Sequence, residues 1–130
     1  PYRLEDARIA LVSMGTTAAT VRRAVDEARA RGLPVGSLRV RMFRPFPEVE
    51  LRRALSGARR IGVLDRDISP GLGGILWGEL RGLTSPEAMV QGYMIGLGGG
   101  DVRESHLERV LADLQGREGP GRPELVEVGP

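Results

Sequence analysis

Cysteine and lysine are both absent from this sequence of 130 residues, and histidine occurs once, at His106. Without cysteine the chain has no disulfide framework, no thiolate ligand for zinc or an iron–sulfur cluster, and no thiol nucleophile. One histidine is too few for a metal site built from several imidazoles, and it supplies a serine–histidine pair poorly. We therefore predict no catalytic residue and no metal site in this chain.

Long apolar runs are also missing. No segment approaches the roughly 18 apolar residues of a transmembrane helix, and no segment has the pattern of a secretory signal. The chain begins at Pro1 rather than at methionine and enters a folded pattern at once. We therefore expect a piece of a cytoplasmic protein that has no membrane partner. Its length is typical of one domain.

The charge of the chain is unevenly distributed. All 19 basic residues are arginine, and residues 1–67 carry a net +6 whereas residues 68–130 carry a net −4. The arginines are dispersed, and the sequence has only 1 Trp, 2 Tyr and 2 Phe for stacking on bases, which argues against nucleic acid as a partner. A dipolar chain suits docking between subunits, although a solvated arginine-rich surface would give the same composition.

Short apolar runs rich in β-forming residues alternate with amphipathic segments of helical period. The first helix is predicted to end at Gly32 and Pro34. The predicted strands are Arg8–Ser13, Val35–Phe43, Arg60–Asp65 and Ala88–Ile95. The predicted helices are Ala18–Arg31, Glu48–Ser56, Gly73–Leu83 and a last one that opens with a capping box at Asp101–Glu104. We expect the domain to cover residues 1–115 and residues 116–130, rich in glycine and proline, to form a tail or linker.

This alternation predicts an α/β fold, a three-layer α/β/α sandwich around a mainly parallel sheet. Ligands and partners of such sheets bind beyond the carboxyl ends of the strands. Four unusual segments fall there: Met14–Thr17, Phe43–Pro47, Asp65–Gly74 and Gly96–Asp101. Topology alone brings these segments together, so the pattern predicts where a site would lie rather than what it would do.

Two of these segments raise the question of anion binding. Gly15, Thr16 and Thr17 would present backbone N–H groups and hydroxyls to an anion, or would form a tight turn with a hydroxyl N-cap. The sequence GLGG at Gly71–Gly74 fits neither a dinucleotide fingerprint nor a P-loop, because Leu76 takes the place of the last glycine and lysine is absent. Close approach of the backbone to a helix or a neighbouring chain is the simpler use of these glycines.

Three stretches together resemble one protein family. They are VSMGTTAATVRRAVDEARARGLPVGSLRVRMFRPFP at Val12–Pro47, VLDRDISPGLGG at Val63–Gly74 and YMIGLGGGD at Tyr93–Asp101. In this order they resemble the C-terminal domain of the alpha subunit of pyruvate:ferredoxin oxidoreductase and, more broadly, the 2-oxoacid:acceptor oxidoreductases. The resemblance implies the fold of the transketolase C-terminal domain, with a mixed sheet of five strands, one of them antiparallel. The pattern finds four strands, so we expect the fifth in Pro1–Leu4 or upstream of it.

The resemblance also implies a parent oxidoreductase, which converts pyruvate and coenzyme A to acetyl-CoA and carbon dioxide while reducing ferredoxin. Thiamine diphosphate with Mg²⁺, [4Fe–4S] clusters and coenzyme A would be held by other domains or subunits. This chain would bind none of these cofactors, would be inactive alone, and would have those domains and subunits as its partners. Ferredoxin would be a partner of the parent enzyme.

Resemblance and topology together favour an assembly domain. The residues expected to organise its loops or contact a partner are Arg44, Asp65, Arg66, Ser69, Gly71, Gly73 and Gly74. Arginine suits hydrogen bonding at an interface, and glycine suits close backbone approach. Two alternatives stay open: a module that binds coenzyme A or a nucleotide with its glycine-rich loops, and the equivalent domain of transketolase or of a dehydrogenase E1 beta chain.

Overall fold

Strands and helices alternate strictly in the computed structural model, which describes residues 1–15, 17–41, 44–66, 74–96 and 101–126. The strands are β1 (Ile9–Met14), β2 (Val35–Val40), β3 (Arg60–Asp65), β4 (Met89–Ile95) and β5 (Glu124–Val126). The helices are α1 (Thr17–Ala30), α2 (Glu48–Ala54), α3 (Ile75–Leu80) and α4 (Glu104–Gly116). Within these ranges no helix has the length and apolar character needed to span a lipid bilayer.

The five strands form one sheet in the order β2-β1-β3-β4-β5, and every paired strand is parallel to its neighbour. The predicted α/β fold with up to five strands is confirmed. The antiparallel strand implied by the resemblance is wrong for the described residues, where the only antiparallel pairing is a single bridge between Tyr2 and Ser37. That bridge places the N-terminal segment along the outer edge of β2, but the segment is too short to form a strand.

Helices cover both faces of the sheet, as buried parallel strands require. On one face, α2 and α3 pack against alternate residues of the strands, including Val12, Leu38 and Val63. On the other face, α1 and α4 pack against the intervening residues, including Leu11 and Tyr93. The faces differ because successive side chains of a strand point in opposite directions.

The fifth strand lies in the segment predicted to be a tail or linker. Glu124–Val126 pairs with Tyr93–Ile95 of β4, and Val126 is buried against the α1 and α4 face. Two residues just before β5 bond the fully buried side chain of Gln91. This side chain donates to the carbonyl of Arg122 (2.8 Å) and accepts from the N–H of Gly121 (2.7 Å). Residues 121–126 are therefore part of the packed sheet. Gly121 and Arg122 supply hydrogen-bond partners to the amide of Gln91, which has no access to water.

A tyrosine on β4 is joined to the end of α4 by charge-assisted hydrogen bonds. The buried Tyr93 hydroxyl donates to Asp113 Oδ2 (2.6 Å), and Arg117 Nε donates to the same oxygen (2.6 Å). Burial, followed by the hydrogen bond to Asp113, raises the pKa of Tyr93 above its usual 10.0. Burial by itself would raise the pKa of Asp113, but the hydrogen bonds from Tyr93 and Arg117 outweigh it and lower that pKa.

We expect this arrangement to make the protein lose stability at alkaline pH. A raised tyrosine pKa contributes stability that is fully present below pH ~10 and is lost as the pH rises towards the folded-state value, at about 1.4 kcal/mol per pH unit. The chain has no lysine or cysteine to obscure this window. Urea unfolding between pH 8 and pH 11 should show a flatter dependence for Tyr93→Phe than for the unaltered chain. Tyr2→Phe is the control, and an equal flattening in both variants would contradict the assignment.

Candidate functional site

A cleft opens at the carboxyl edge of the sheet between β1 and β3. The chain runs from β1 outward to β2 and then returns to β3 on the opposite side of β1, so the direction of winding reverses here. Open α/β sheets form their binding crevices at this kind of reversal. The cleft has a volume of about 480 Å³ and is lined by Met14, Gly15, Leu64, Asp65, Arg66, Ile75 and Leu76.

Asp65, the last residue of β3, holds the start of α3 at this cleft. Its side chain is buried, Oδ1 accepts from the N–H of Leu76 (2.9 Å), and Oδ2 accepts from the N–H of Trp77 (3.0 Å). A carboxylate at a helix N-terminus satisfies N–H groups that have no partner within the helix, and its charge is favourable in the field of the peptide dipoles. Asp65 therefore caps the start of α3.

Gly74, which precedes α3, leaves the space that the Asp65 carboxylate occupies. A Cβ atom built on Gly74 would lie 1.9 Å from Asp65 Oδ2 and 2.4 Å from Asp65 Cβ. Both distances are far shorter than any real carbon contact, so only glycine fits while Asp65 stays in place. Asp65 and Gly74 are nine positions apart in the sequence, and the structure brings them into direct contact.

Arg66 joins the ends of two neighbouring strands. Its guanidinium donates to the carbonyl of Gly96 (3.4 Å), and a Cβ atom on Gly96 would approach the guanidinium carbon to 3.2 Å. Gly96 has φ = +72°, a conformation that L side chains rarely adopt. The arginine thus lies flat against a glycine turn, and its side chain is exposed at the rim of the cleft.

Arg44 lies further along the same edge, beside the far end of α3. Its guanidinium forms a salt bridge of 2.9 Å with Glu79. The arginine side chain is 64% exposed, so the pair contributes less than about 1 kcal/mol to stability. This salt bridge joins the Arg44–Pro47 segment to α3.

Gly15 and Thr17 stand at the junction between β1 and α1. Gly15 has φ = +69°, and Thr17, the first residue of α1, is buried with its hydroxyl unpartnered within the described residues. Thr16 lies outside those residues, as do Ser69, Gly71 and Gly73. Anion binding by the turn, and the roles of the three loop residues, remain predictions.

The sequence did not indicate the apolar lining of the cleft. Leu64 and Leu76 were assigned only to a predicted strand and helix, and Met14 to the Met14–Thr17 segment at the sheet edge, but all three form the cleft wall. Ile75, which also lines the cleft, is 42% exposed. The sequence places Ile75 near the start of a helix but does not specify which side chains of that helix are exposed.

His106, the single histidine of the sequence, lies in the first turn of α4 and is largely buried. It is 9% exposed, and its Nδ1 accepts from the backbone N–H of Arg103 (2.8 Å). The helix begins at Glu104, so the predicted capping box at Asp101 is replaced by this histidine bond. The imidazole is thereby occupied in closing the start of α4.

The described part of the cleft is mostly apolar. It pairs an apolar wall with one carboxylate that already accepts two backbone hydrogen bonds. Among the described residues, no three histidine, aspartate or glutamate side chains come together in a way that would hold a metal ion. A preformed apolar surface with a few fixed polar groups is typical of a site for another molecule or another chain.

Comparison with known proteins gives one consistent family. The pyruvate:ferredoxin oxidoreductase core domain II matches residues 7–107. The pyruvate synthase subunit PorA of Methanothermobacter thermautotrophicus is 40% identical over 117 residues, which are 90% of this chain and 30% of the relative. The PorA subunit of Thermotoga maritima is 38% identical over 87% of this chain and 30% of its own length. The ketoisovalerate oxidoreductase subunit VorA of Pyrococcus furiosus is 37% identical over 86% of this chain and 29% of its own length.

A solved structure shares the fold. The 2-oxoglutarate:ferredoxin oxidoreductase from Magnetococcus marinus, solved with 2-oxoglutarate, coenzyme A and succinyl-CoA bound, superposes with a TM-score of 0.67 at 21% sequence identity. The match covers 85% of this chain and 18% of that chain. The chain thus spans 30% or less of the length of these curated relatives, and each of the three is named as a subunit.

Proposed function

The chain belongs to the pyruvate:ferredoxin oxidoreductase core domain II family, and from that premise we propose that it is an assembly domain of a 2-oxoacid:ferredoxin oxidoreductase. The parent enzyme would oxidise a 2-oxoacid, most simply pyruvate, with coenzyme A to acetyl-CoA and carbon dioxide, and pass the electrons to ferredoxin. The relatives are named for pyruvate and for ketoisovalerate, so the family accommodates more than one 2-oxoacid. By itself the chain is expected to carry no oxidoreductase activity.

The cofactors implied by the family do not fit the residues of this chain. An iron–sulfur cluster is normally held by cysteine thiolates, and the sequence has none. Mg²⁺ prefers carboxylate and carbonyl oxygens, and the described residues offer no cluster of three such acidic or histidine side chains. We therefore propose that other domains or subunits hold the clusters and Mg²⁺ and, as the resemblance implies, thiamine diphosphate and coenzyme A.

The observation that carries the assembly role is the fixed shape of the cleft edge. Asp65 and Gly74 set the position of α3, Arg66 is laid against Gly96, and Ile75 is presented with an exposed aliphatic surface. A surface held rigid in this way loses little conformational freedom when a partner docks. Interfaces favour an apolar centre with arginine at or near it, which is the composition of this edge.

The test uses the full-length protein together with its partner subunits. Arg66→Ala should weaken the complex about tenfold, because arginine is among the residues that contribute most at interfaces, and it should lower the unfolding temperature of the chain by less than about 2 °C. Ile75→Ser should have a similar effect through loss of apolar contact. The measurement is the concentration at which the complex dissociates, by size-exclusion chromatography with light scattering.

Arg109→Ala is the matched control, since Arg109 lies on the exposed side of α4 and does not line the cleft. The control should assemble like the unaltered protein. An Arg66→Ala protein that assembles normally, or an equal loss in both variants, would overturn the role assigned to this edge.

A further inference from the structure

A second cavity lies at the outer edge of the sheet, where β1 and β2 end beside the first turns of α1. Its volume is about 470 Å³, and it is lined by Pro1, Tyr2, Ser13, Ala18, Arg22, Ser37, Leu38, Arg39, Arg41 and Pro47. Three of these residues are arginines and none is acidic. From this lining we propose that the cavity binds a phosphate group, either as inorganic phosphate or as part of a phosphorylated small molecule.

The arginines converge from two elements. Arg39 is at the carboxyl end of β2, Arg41 follows that strand, and Arg22 stands on α1; all three side chains are exposed. Guanidinium groups bind phosphate oxygens through paired hydrogen bonds and keep their charge at any physiological pH. Arg22 also packs on the Tyr2 ring, with 5.2 Å between the guanidinium carbon and the ring centroid, which fixes its direction.

A buried hydroxyl in the lining is left without a partner. Ser13 is 2% exposed, and its Oγ forms no hydrogen bond within the described part of the chain. In the sheet it lies directly beside Arg39, so both side chains are on the face that the cavity occupies. A buried hydroxyl without a partner is destabilising, which is explained here if a ligand oxygen supplies the missing hydrogen bond.

The local field also favours an anion. The cavity is beside the N-terminal turns of α1, a helix of 14 residues whose aligned peptides place partial positive charge at that end. Asp26 does not line the cavity but contacts Tyr2, which does. Its carboxylate accepts hydrogen bonds from the Tyr2 hydroxyl (2.7 Å) and from Arg3 (2.9 Å). These contacts lower the pKa of Asp26, the one from Tyr2 most, so its charge is already compensated by its partners.

The size of the cavity suits a phosphate with an attached group. Ligand pockets usually measure roughly 300–1,000 Å³, and a free phosphate would fill only part of this one. The apolar lining by Leu38, Ala18 and the prolines offers a surface for the remainder of such a molecule. Among the described residues, this site shares no lining residue with the cleft at α3.

The proposal is tested on the chain itself by titration calorimetry with inorganic phosphate and, separately, with ADP, at constant ionic strength and with chloride as the reference anion. Arg39→Gln should weaken phosphate binding at least tenfold, because it removes a charge-assisted hydrogen bond. Arg109→Gln, on the exposed side of α4, should change it less than twofold. Tighter binding of ADP than of phosphate would identify a phosphorylated small molecule as the ligand, and equal or weaker binding would identify free phosphate.

Ser13→Ala separates a ligand role from a structural one. With no ligand present this variant should be as stable as the unaltered chain or more stable, since it removes an unpartnered buried hydroxyl. In the same variant, phosphate binding should weaken severalfold. Phosphate that binds no better than chloride, or a Ser13→Ala chain that binds as well as the unaltered one, would overturn the proposal.

Discussion

Replacing Gly74 by alanine is expected to destabilise the protein by about 3 kcal/mol, a large effect for the addition of one methyl group. The new Cβ atom would lie 1.9 Å from Asp65 Oδ2, and the carboxylate cannot move away without losing its bonds to Leu76 and Trp77. The measurement is urea unfolding followed by the fluorescence of Trp77, the single tryptophan of the chain, which lies in α3 itself.

The same mechanism predicts that the two residues are coupled. Asp65→Ala should cost about 2–3 kcal/mol, because it leaves two backbone N–H groups without an acceptor. In that background Gly74→Ala should cost less than about 1 kcal/mol, since the group it would clash with is gone. The double-mutant cycle should therefore give a coupling energy of roughly 2 kcal/mol, and additive effects would show that the clash is not the cause.

Gly78 provides the matched control within the same helix. It lies in α3, and a Cβ atom built on it meets nothing within 4 Å. Gly78→Ala should therefore stabilise the protein by about 0.5–1 kcal/mol, because alanine loses less backbone freedom than glycine when a helix forms. Glycine-to-alanine substitution is thus expected to lower the stability of the protein at Gly74, just before α3, and to raise it at Gly78, within α3.

Ending the chain at Gly116 is expected to be the second large effect, with a loss of about 3–5 kcal/mol and a fall of roughly 10–20 °C in the unfolding temperature. This truncation removes β5, two of the hydrogen-bond partners of the buried Gln91, and the Arg117 carbonyl that accepts from Arg60 (2.7 Å). It also removes the arginine that pairs with Asp113.

A chain ending at Val126 is the control for this truncation, because it keeps all of these contacts. Scanning calorimetry on the two truncated chains and the unaltered one measures the difference. Unfolding temperatures within 3 °C of each other would mean that residues 117–126 add little to the sheet, as a true linker would.

Much of the fold follows from local pattern. The buried runs of β1, β3 and β4 are mostly apolar, and α1 and α4 carry one apolar face, so each was predictable without knowledge of its neighbours. The fifth strand was not predictable in this way. It has three residues, two of them exposed, and it forms because β4 and Gln91 offer it hydrogen bonds that no periodicity records.

The candidate site divides in the same manner. Topology predicted that the ends of β1 and β3 would share an edge, and the cleft lies there. The role of Asp65 was not predictable, because helix caps are recognised from residues adjacent to the helix, and Asp65 caps α3 across 11 residues of sequence. The pairing of Ser13 with Arg39 likewise depends on the register of two strands, which the sequence leaves open.

The late position of Gln91's partners has a consequence for synthesis. They follow Gln91 by 30 and 31 residues, so a ribosome completes β1, β3 and β4 well before it adds the residues that finish the sheet. During that interval β4 is an open edge strand, and an open edge pairs readily with strands of other chains. β4 is thus most prone to aggregation between its emergence from the ribosome and its pairing with Glu124–Val126, when a chaperone that covers one strand edge would give the greatest protection.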